Sequence, residues 1–176
     1  MNRAQPGFAR VYEEHVWRVY GFLAYRVGDR ATAEDLTQTT FERALRGWSR
    51  YDPRRASEAT WLLVIARNAL TDHFRRQRAA SAGPLEQRAL ASITGPEERY
   101  AGSAALLTAV TSLPERDREV LALRFGGDLG GPQIAAMLGL TLANVQQILS
   151  RSLRKLRQML DQENPGAGSA GARGQG

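Results

Sequence analysis

The chain has 176 residues, a formal net charge of +6 and a sequence pI near 10.4, with Lys155 the one lysine among its 24 basic residues. It has no cysteine, which excludes disulfides and thiolate metal sites, and no apolar run nears the roughly 18 residues of a membrane span. One ordinary domain or two small ones, a polyanionic partner and a cytoplasmic location are therefore expected.

Phe8, Val11, Tyr12, Val16, Val19, Tyr20, Leu23 and Val27 recur at helical steps until Gly28-Asp29. Thr32-Ala-Glu-Asp35 reads as a capping box for a second helix to about Arg50, with Phe41, Ala44, Leu45 and Trp48 inward. Asp35, Gln38 and Glu42, at i, i+3 and i+7, form a polar stripe on its outer side. SRYDPRRASEAT is a loop, since Pro53 removes an amide donor and biases Asp52 away from helix. Ser57 caps a third helix through about Arg78, with Trp61, Leu62, Ile65, Ala69 and His73 on its inward side.

Residues 79–95 lose periodicity and read as a flexible linker. A fourth helix starts near Pro96, and Ser112-Leu-Pro-Glu115 forms a second capping box with Pro114 in the first turn. That helix ends before GGDLGG; Pro132 opens the next, Gly139 ends it and Thr141 caps the last. The tail from 161 has almost nothing to bury and is expected to be disordered. The fold class is all-α: two small helical domains, 1–78 and 96–160, with no strand pattern and no internal repeat.

Ala135, Gly139 and Val145 have the spacing of a helix-turn-helix. The small residue lets two helices approach, the glycine tolerates a left-handed turn and the branched residue fills the crossing. Val145, Leu149, Leu156 and Leu160 continue the inward stripe. Asn144, Gln147, Ser150, Arg151 and Arg154 lie on the other face. Amides pair with an adenine edge and guanidinium with guanine, at about 1–3 kcal/mol of discrimination each. Arg151, Arg154, Lys155 and Arg157 run on without an acid, which suits phosphates. On a plain αα-hairpin the same face would be merely solvated.

Two stretches, AEDLTQTTFERALRGWSRYDPRRASEATWLLVIARNALTDHFRRQR and LPERDREVLALRFGGDLGGPQIAAMLGLTLANVQQILSRSLRKLR, together resemble the sigma-70 superfamily, specifically its extracytoplasmic-function (ECF) sigma factors. They look like sigma domains 2 and 4, in the family's order and spacing. The resemblance implies a transcription initiation subunit that binds bacterial RNA polymerase core and promoter DNA. Domain 2 would dock on the β′ clamp helices and open the −10 element; domain 4 would sit at the β flap and read the −35 element. Asp35, Gln38 and Glu42 fall where family members meet β′. Arg54, Arg55, Arg67, Asn68, Arg75 and Arg76 would meet −10 DNA, in a stretch (50–78) whose seven arginines face three acids. Asn68 could equally be an internal hydrogen-bonding residue, and Trp61 reads as core. Thr141, Asn144, Gln147, Ser150, Arg151, Arg154 and Lys155 would meet the −35 element. The resemblance also implies an anti-sigma partner, with no cofactor, metal or small-molecule substrate.

The chain departs from the family's pattern in places. Glu58-Ala59 stands where many members carry an aromatic-Arg pair, and Glu58 reads as an electrostatic liability in a DNA-facing loop. Leu63-Val64 replaces a frequent Tyr-Arg. Gln146 and Ile148 replace basic residues, and Gly130-Gly131 replaces a polar cap. An enzyme is not expected: His15 and His73 lie on separate helices without carboxylates at metal spacing, and GGDLGG lacks the Lys-Ser/Thr of a phosphate loop. The rival reading is a stand-alone helix-turn-helix regulator, which leaves the N-terminal half without a role. A protein that only titrates polymerase or an anti-sigma factor is disfavoured by the basic domain-2 face.

Overall fold

A computed structural model describes residues 7–80 and 103–163, and every regular element among them is helical. Residues 79–80 and 161–163, expected in the linker and the disordered tail, are instead the last residues of the third and final helices. The rest of the linker, the helix start near Pro96 and the rest of the tail lie outside the described residues.

Helix α1 (Phe8–Val27) ends where Gly28 takes a left-handed φ of 68° and its amide donates to the Ala24 carbonyl at 3.1 Å. Helix α2 (Arg30–Gly47) follows at once. Its cap is Asp29, whose Oδ2 accepts from the Thr32 amide at 2.8 Å and the Thr32 hydroxyl at 2.6 Å. The expected box at Thr32 is thus displaced by one turn. Asp29, held extended, reaches the free amides first, and Thr32 becomes a donor inside the helix. These bonds, the hydroxyl's first, hold the Asp29 carboxyl below its usual range. A 3₁₀ turn (Trp48–Arg50) extends α2. Helix α3 (Glu58–Ala80) is capped by Ser57, whose Oγ accepts from the Thr60 amide at 3.2 Å.

Val11, Val19, Leu23, Leu36, Phe41, Ala44, Leu62, Ala66 and Ala69 fill the space between these three helices. Fully burying a Leu or Phe side chain contributes about 1.5–3 kcal/mol, so this stripe holds the layer together. The buried Thr37 and Thr40 hydroxyls donate to the Ala33 and Leu36 carbonyls at 2.7 Å, so neither is left unpaired. Tyr12, expected inward, is half-exposed and packs edge-on against Phe41 at 4.8 Å.

The second unit comprises α4 (Ser103–Thr111), α5 (Glu115–Leu121), a π turn (Ala122–Gly126), α6 (Gly131–Leu138) and α7 (Leu142–Glu163). The expected box at Ser112 does not form: its hydroxyl donates to the Ala109 carbonyl at 2.7 Å, and Pro114 occupies the cap position. Extended backbone at Pro114 starts the helix at Glu115, which leaves Ser112 too far back to cap it. The helix-turn-helix is built as its spacing predicts. Gly139 turns at φ 65°, Thr141 Oγ1 accepts from the Asn144 amide at 3.1 Å, and Val145 is fully buried at the crossing. Gly130 offers no side chain to the free amides of α6, and Gln133 Oε1 accepts the Gly130 amide at 2.8 Å, which is the reciprocal half of a capping box.

The two units share one core. Val120, Leu123, Leu129, Ile134, Val145 and Ile148 belong to the same buried cluster as the stripe of α1–α3, while a smaller cluster joins Ala109, Val110, Leu113, Leu121 and Leu156. The seam runs along a second buried face of α1. There a Cβ on Gly126 would lie 2.6 Å from the Gly21 carbonyl oxygen, so only glycine allows the approach. Phe22 and Leu63, both fully buried, lie along this seam.

Candidate nucleic-acid interface

Asp35, Gln38 and Glu42 are exposed on α2, opposite the buried Leu36, Phe41 and Ala44. Gln38 Nε2 donates to Glu42 Oε1 at 3.0 Å, and Glu42 faces Arg46 at 3.6 Å. None of these contacts ties the stripe to another element, so among the described residues it is a free face.

The loop before α3 closes on itself. The Tyr51 hydroxyl donates to the Ala56 carbonyl at 3.0 Å, and its ring stacks on Trp48 at 5.1 Å and leans on Trp61 at 5.0 Å. Trp61 is therefore part of an aromatic floor, as its position in the stripe predicts. Burial, then the charges of Glu58 and Asp52, pushes the Tyr51 hydroxyl pKa up. Arg54 and Arg55 project outward, Arg54 holding Asp52 at 3.1 Å; that bond, with the Arg54 amide, keeps the Asp52 carboxyl below its usual range.

On α3, Asn68 is exposed and makes no hydrogen bond among the described residues, so the internal role left open for it is not the one it plays. Arg75 is exposed beside Asp72 at 3.1 Å, and Arg76 is exposed. Arg67 differs: its Nε donates to Glu119 of α5 at 2.6 Å.

Glu58 is no free acid in a loop. It starts α3, is largely covered, and accepts from Arg10 at 2.6 Å beside His15 Nε2 at 3.3 Å. The expectation that no carboxylate accompanies a histidine fails here, because tertiary packing joins residues 43 positions apart. Glu14, His15 and Glu58 bring ligand-type atoms within 4.8 Å of one another. Arg10 already pairs with both carboxylates, each at 2.6 Å, so its cation occupies the place a metal ion would take.

On α7, Asn144, Gln147, Ser150, Arg154 and Lys155 are exposed along one side, and the Thr141 hydroxyl is used as the cap. Ile148, where the family often has a basic residue, is 3% exposed; it packs inward next to Val145, and Leu149 takes the half-buried edge. Sequence reasoning missed the acid behind this helix. Asp117 of α5 is buried, and its Oδ1 and Oδ2 accept from Arg151 Nη2 at 2.7 Å and Nε at 3.1 Å. The hydrogen bond, then the charge, of Asp117 raises the Arg151 pKa. Within LPERDRE nothing separates Asp117 from its exposed neighbours until α7 is laid across it.

The same polarity recurs where the units meet. Arg18 pairs with Asp128 at 3.1 Å, Arg67 with Glu119 at 2.6 Å, and Arg26 with Glu115. Each arginine belongs to the first unit and each acid to the second. Burial works to raise the Glu115 carboxyl, but the hydrogen bond and charge of Arg26, aided by Arg118, hold it below its usual range. A cleft of about 470 Å³ opens between the Tyr51–Ala59 loop and the segment Asp128, Leu129 and Gln133.

Comparison with known proteins accounts for both halves. Residues 11–80 match the family model Sigma-70 region 2, and residues 109–158 match Sigma-70, region 4. The chain is 34% identical to the ECF RNA polymerase sigma factor BldN of Streptomyces coelicolor over 91% of its own length and 64% of that protein. It is 30% identical to the ECF RNA polymerase sigma factor RpoE of Cereibacter sphaeroides, covering 89% of this chain and 88% of the relative. With RNA polymerase sigma factor CarQ of Myxococcus xanthus the identity is 33%, over 89% and 91%. Among solved structures, the sigma factor RpoE of Bartonella quintana, crystallised with the anti-sigma factor NepR, shares the fold at a TM-score of 0.73 and 20% identity, over 88% of this chain and 96% of that one. CnrH in complex with the cytosolic domain of CnrY aligns at 0.64 and 25% identity, over 90% of each chain. A stand-alone regulator would account for the second half alone. With both regions present in order, on a scaffold that leaves one face of α2 and one of α7 open, the chain belongs to the ECF sigma factors of RNA polymerase.

Proposed function

We propose that this sigma factor divides its work among three faces. The stripe Asp35, Gln38 and Glu42 docks on the β′ clamp helices of bacterial core RNA polymerase, and the second unit sits at the β flap. Arg54, Arg55, Asn68, Arg75 and Arg76, joined by Arg67 once it is released, hold the opened −10 element through phosphates and base edges. The outer side of α7, from Thr141 to Lys155, lies in the major groove at the −35 element. The units correspond to 1–80 and 96–163, with 81–95 as a linker and a tail from 164. It acts in the cytoplasm by binding alone, without a catalytic site; no helix of the described residues is long and apolar enough to cross a membrane.

One observation carries this reading: three polar side chains on α2 stay exposed and, among the described residues, make no hydrogen bond or ion pair outside their own helix, directly opposite a buried stripe. Such a face costs little in folding and is free to meet a partner. In the closed arrangement Arg67 is held by Glu119, and the second unit walls the cleft beside the Tyr51–Ala59 loop. Engagement of −10 DNA therefore requires the units to part, and an anti-sigma partner would act by keeping them together. The similar fold crystallised with an anti-sigma factor supports that partner class. Run-off transcription with bacterial core polymerase over a promoter library tests the whole reading. Promoter-specific transcripts are expected, and purified protein that neither bound core nor directed a transcript would refute it.

A further inference from the structure

Arg151 is expected to read the −35 element, yet it does not stand free. Its side chain is 56% exposed while that of Asp117 is only 4% exposed, so an exposed cation is pinned from behind by a buried acid. The contact is side-on and bidentate: Nη2 donates to Oδ1 at 2.7 Å and Nε to Oδ2 at 3.1 Å. A third bond, from the fully buried Ser152 hydroxyl to Oδ2 at 3.1 Å, fixes the carboxylate independently of the arginine. A guanidinium has five N–H donors. The side-on contact consumes the Nε proton and one Nη2 proton, leaving the Nη1–Nη2 end free and facing outward. That end is the edge that pairs with the O6 and N7 atoms of guanine.

We propose that Asp117 is a positioning residue for base reading, holding Arg151 so that its free end meets one guanine of the −35 element. The inference rests on the proposed −35 role of α7 and adds a residue from outside the recognition helix. The physical gain is preorganisation. A free arginine must lose its rotamer freedom on meeting DNA, whereas a buttressed one has already lost it in folding. Burial of the carboxylate keeps its charge away from the phosphates, and the arginine covers what remains. Asn144 and Gln147 stay exposed on the same side of α7 to read neighbouring base pairs. Among the described residues Arg154 and Lys155 have no such buttress; they suit phosphates, which accept a cation from many directions.

The test uses the full chain with core polymerase, transcribing a library randomised across the −35 region, with transcripts sequenced to give the preference at each position. Wild type should show a strong preference for guanine at one base pair. Asp117→Asn, which keeps the volume but loses the second acceptor oxygen, should lower that preference about tenfold at that base pair alone. Arg151→Ala should flatten the same position, and adding Asp117→Asn to it should change nothing further. Thermal unfolding of each variant monitors the fold. Should Asp117→Asn fail to fold, Arg151→Ala carries the test, because its exposed side chain can be removed with the Ser152 bond intact. A loss spread evenly over all positions, or one that persists in the Arg151→Ala background, would make Asp117 a mere tie between α5 and α7 and overturn the inference. An unchanged guanine preference in Arg151→Ala would overturn it too. Wild-type transcripts with a −10 preference but none at −35 would instead overturn the −35 role, and this inference with it.

Discussion

Replacing Gly126 with alanine puts a methyl group where the backbone of α1 already lies. The new Cβ would sit 2.6 Å from the Gly21 carbonyl oxygen and 2.7 Å from both the Gly21 carbonyl carbon and the Phe22 nitrogen. Ordinary contact begins at 3.4 Å, so the seam must widen by about 0.8 Å. All three neighbours are backbone, and no side chain can rotate away. Overpacking costs about 1–3 kcal/mol, and this site belongs at the upper end. Alanine in place of a helical glycine returns about 0.5–1 kcal/mol, which leaves a net cost of about 2 kcal/mol, or roughly 30-fold in an equilibrium. Since the clash lies between the units rather than within either one, it should fall on the closed arrangement. Small-angle scattering of the full chain should then show a larger radius for Gly126→Ala, with a lower melting temperature. Gly21→Ala should do the same, and the double variant should cost less than the two together, since one methyl has already opened the seam. Gly47→Ala is the control, because its methyl would meet only Trp61 at 3.6 Å. A Gly126→Ala protein with the radius and melting temperature of wild type would refute the shared-core account of how the units meet.

Other substitutions separate the faces. Ile148→Ala should cost about 2–4 kcal/mol in urea unfolding, as expected for a buried isoleucine, while Gln146→Ala stays within about 0.5 kcal/mol; equal effects would place Ile148 on the surface. Asp35→Arg with Gln38→Ala should leave helix content and melting temperature nearly unchanged but abolish binding to core polymerase, and a double variant that still transcribes would move the dock elsewhere. Arg157→Ala should weaken binding of all −35 sequences alike and shallow the salt dependence, measured by titration at several salt concentrations; a change in sequence preference would contradict a phosphate role. Glu115 is an acid depressed below its ordinary 4.5 by Arg26. Its contribution to the closed form should be complete above pH 4.5 and be lost as pH falls through the depressed value. Glu115→Gln should flatten that part of the radius-against-pH curve, and an unchanged curve would remove Glu115 from the seam.

Much of this molecule is written in local pattern. The apolar repeats of α1 and α2, the glycine stops at Gly28 and Gly139, and the Ser57 and Thr141 caps depend on a few neighbouring residues, so the sequence alone was enough to place them. The same holds for the outward stripe of α2 and the polar side of α7, since helical periodicity decides which residues share a face. Cap positions were less legible. Asp29 displaced the expected Thr32 box because the first side chain able to reach the free amides wins, whereas extended backbone at Pro114 starts α5 at Glu115 and leaves Ser112 too far back to cap it. Beyond this, only tertiary structure decides. Glu58 reads as an exposed acid until α1 brings Arg10 and His15 to it, Arg67 as a free cation until Glu119 arrives, and Asp117 as one more surface charge until α7 covers it. Ile148 turned inward because the second unit buries a broader arc of α7 than its heptad-like stripe announces. These partners lie 34 to 52 positions apart, and a charge in sequence carries no mark of which opposite charge will reach it. The closed seam is the extreme case. Two glycines more than a hundred positions apart meet because neither has a side chain, and their contact is readable only once both backbones are in place.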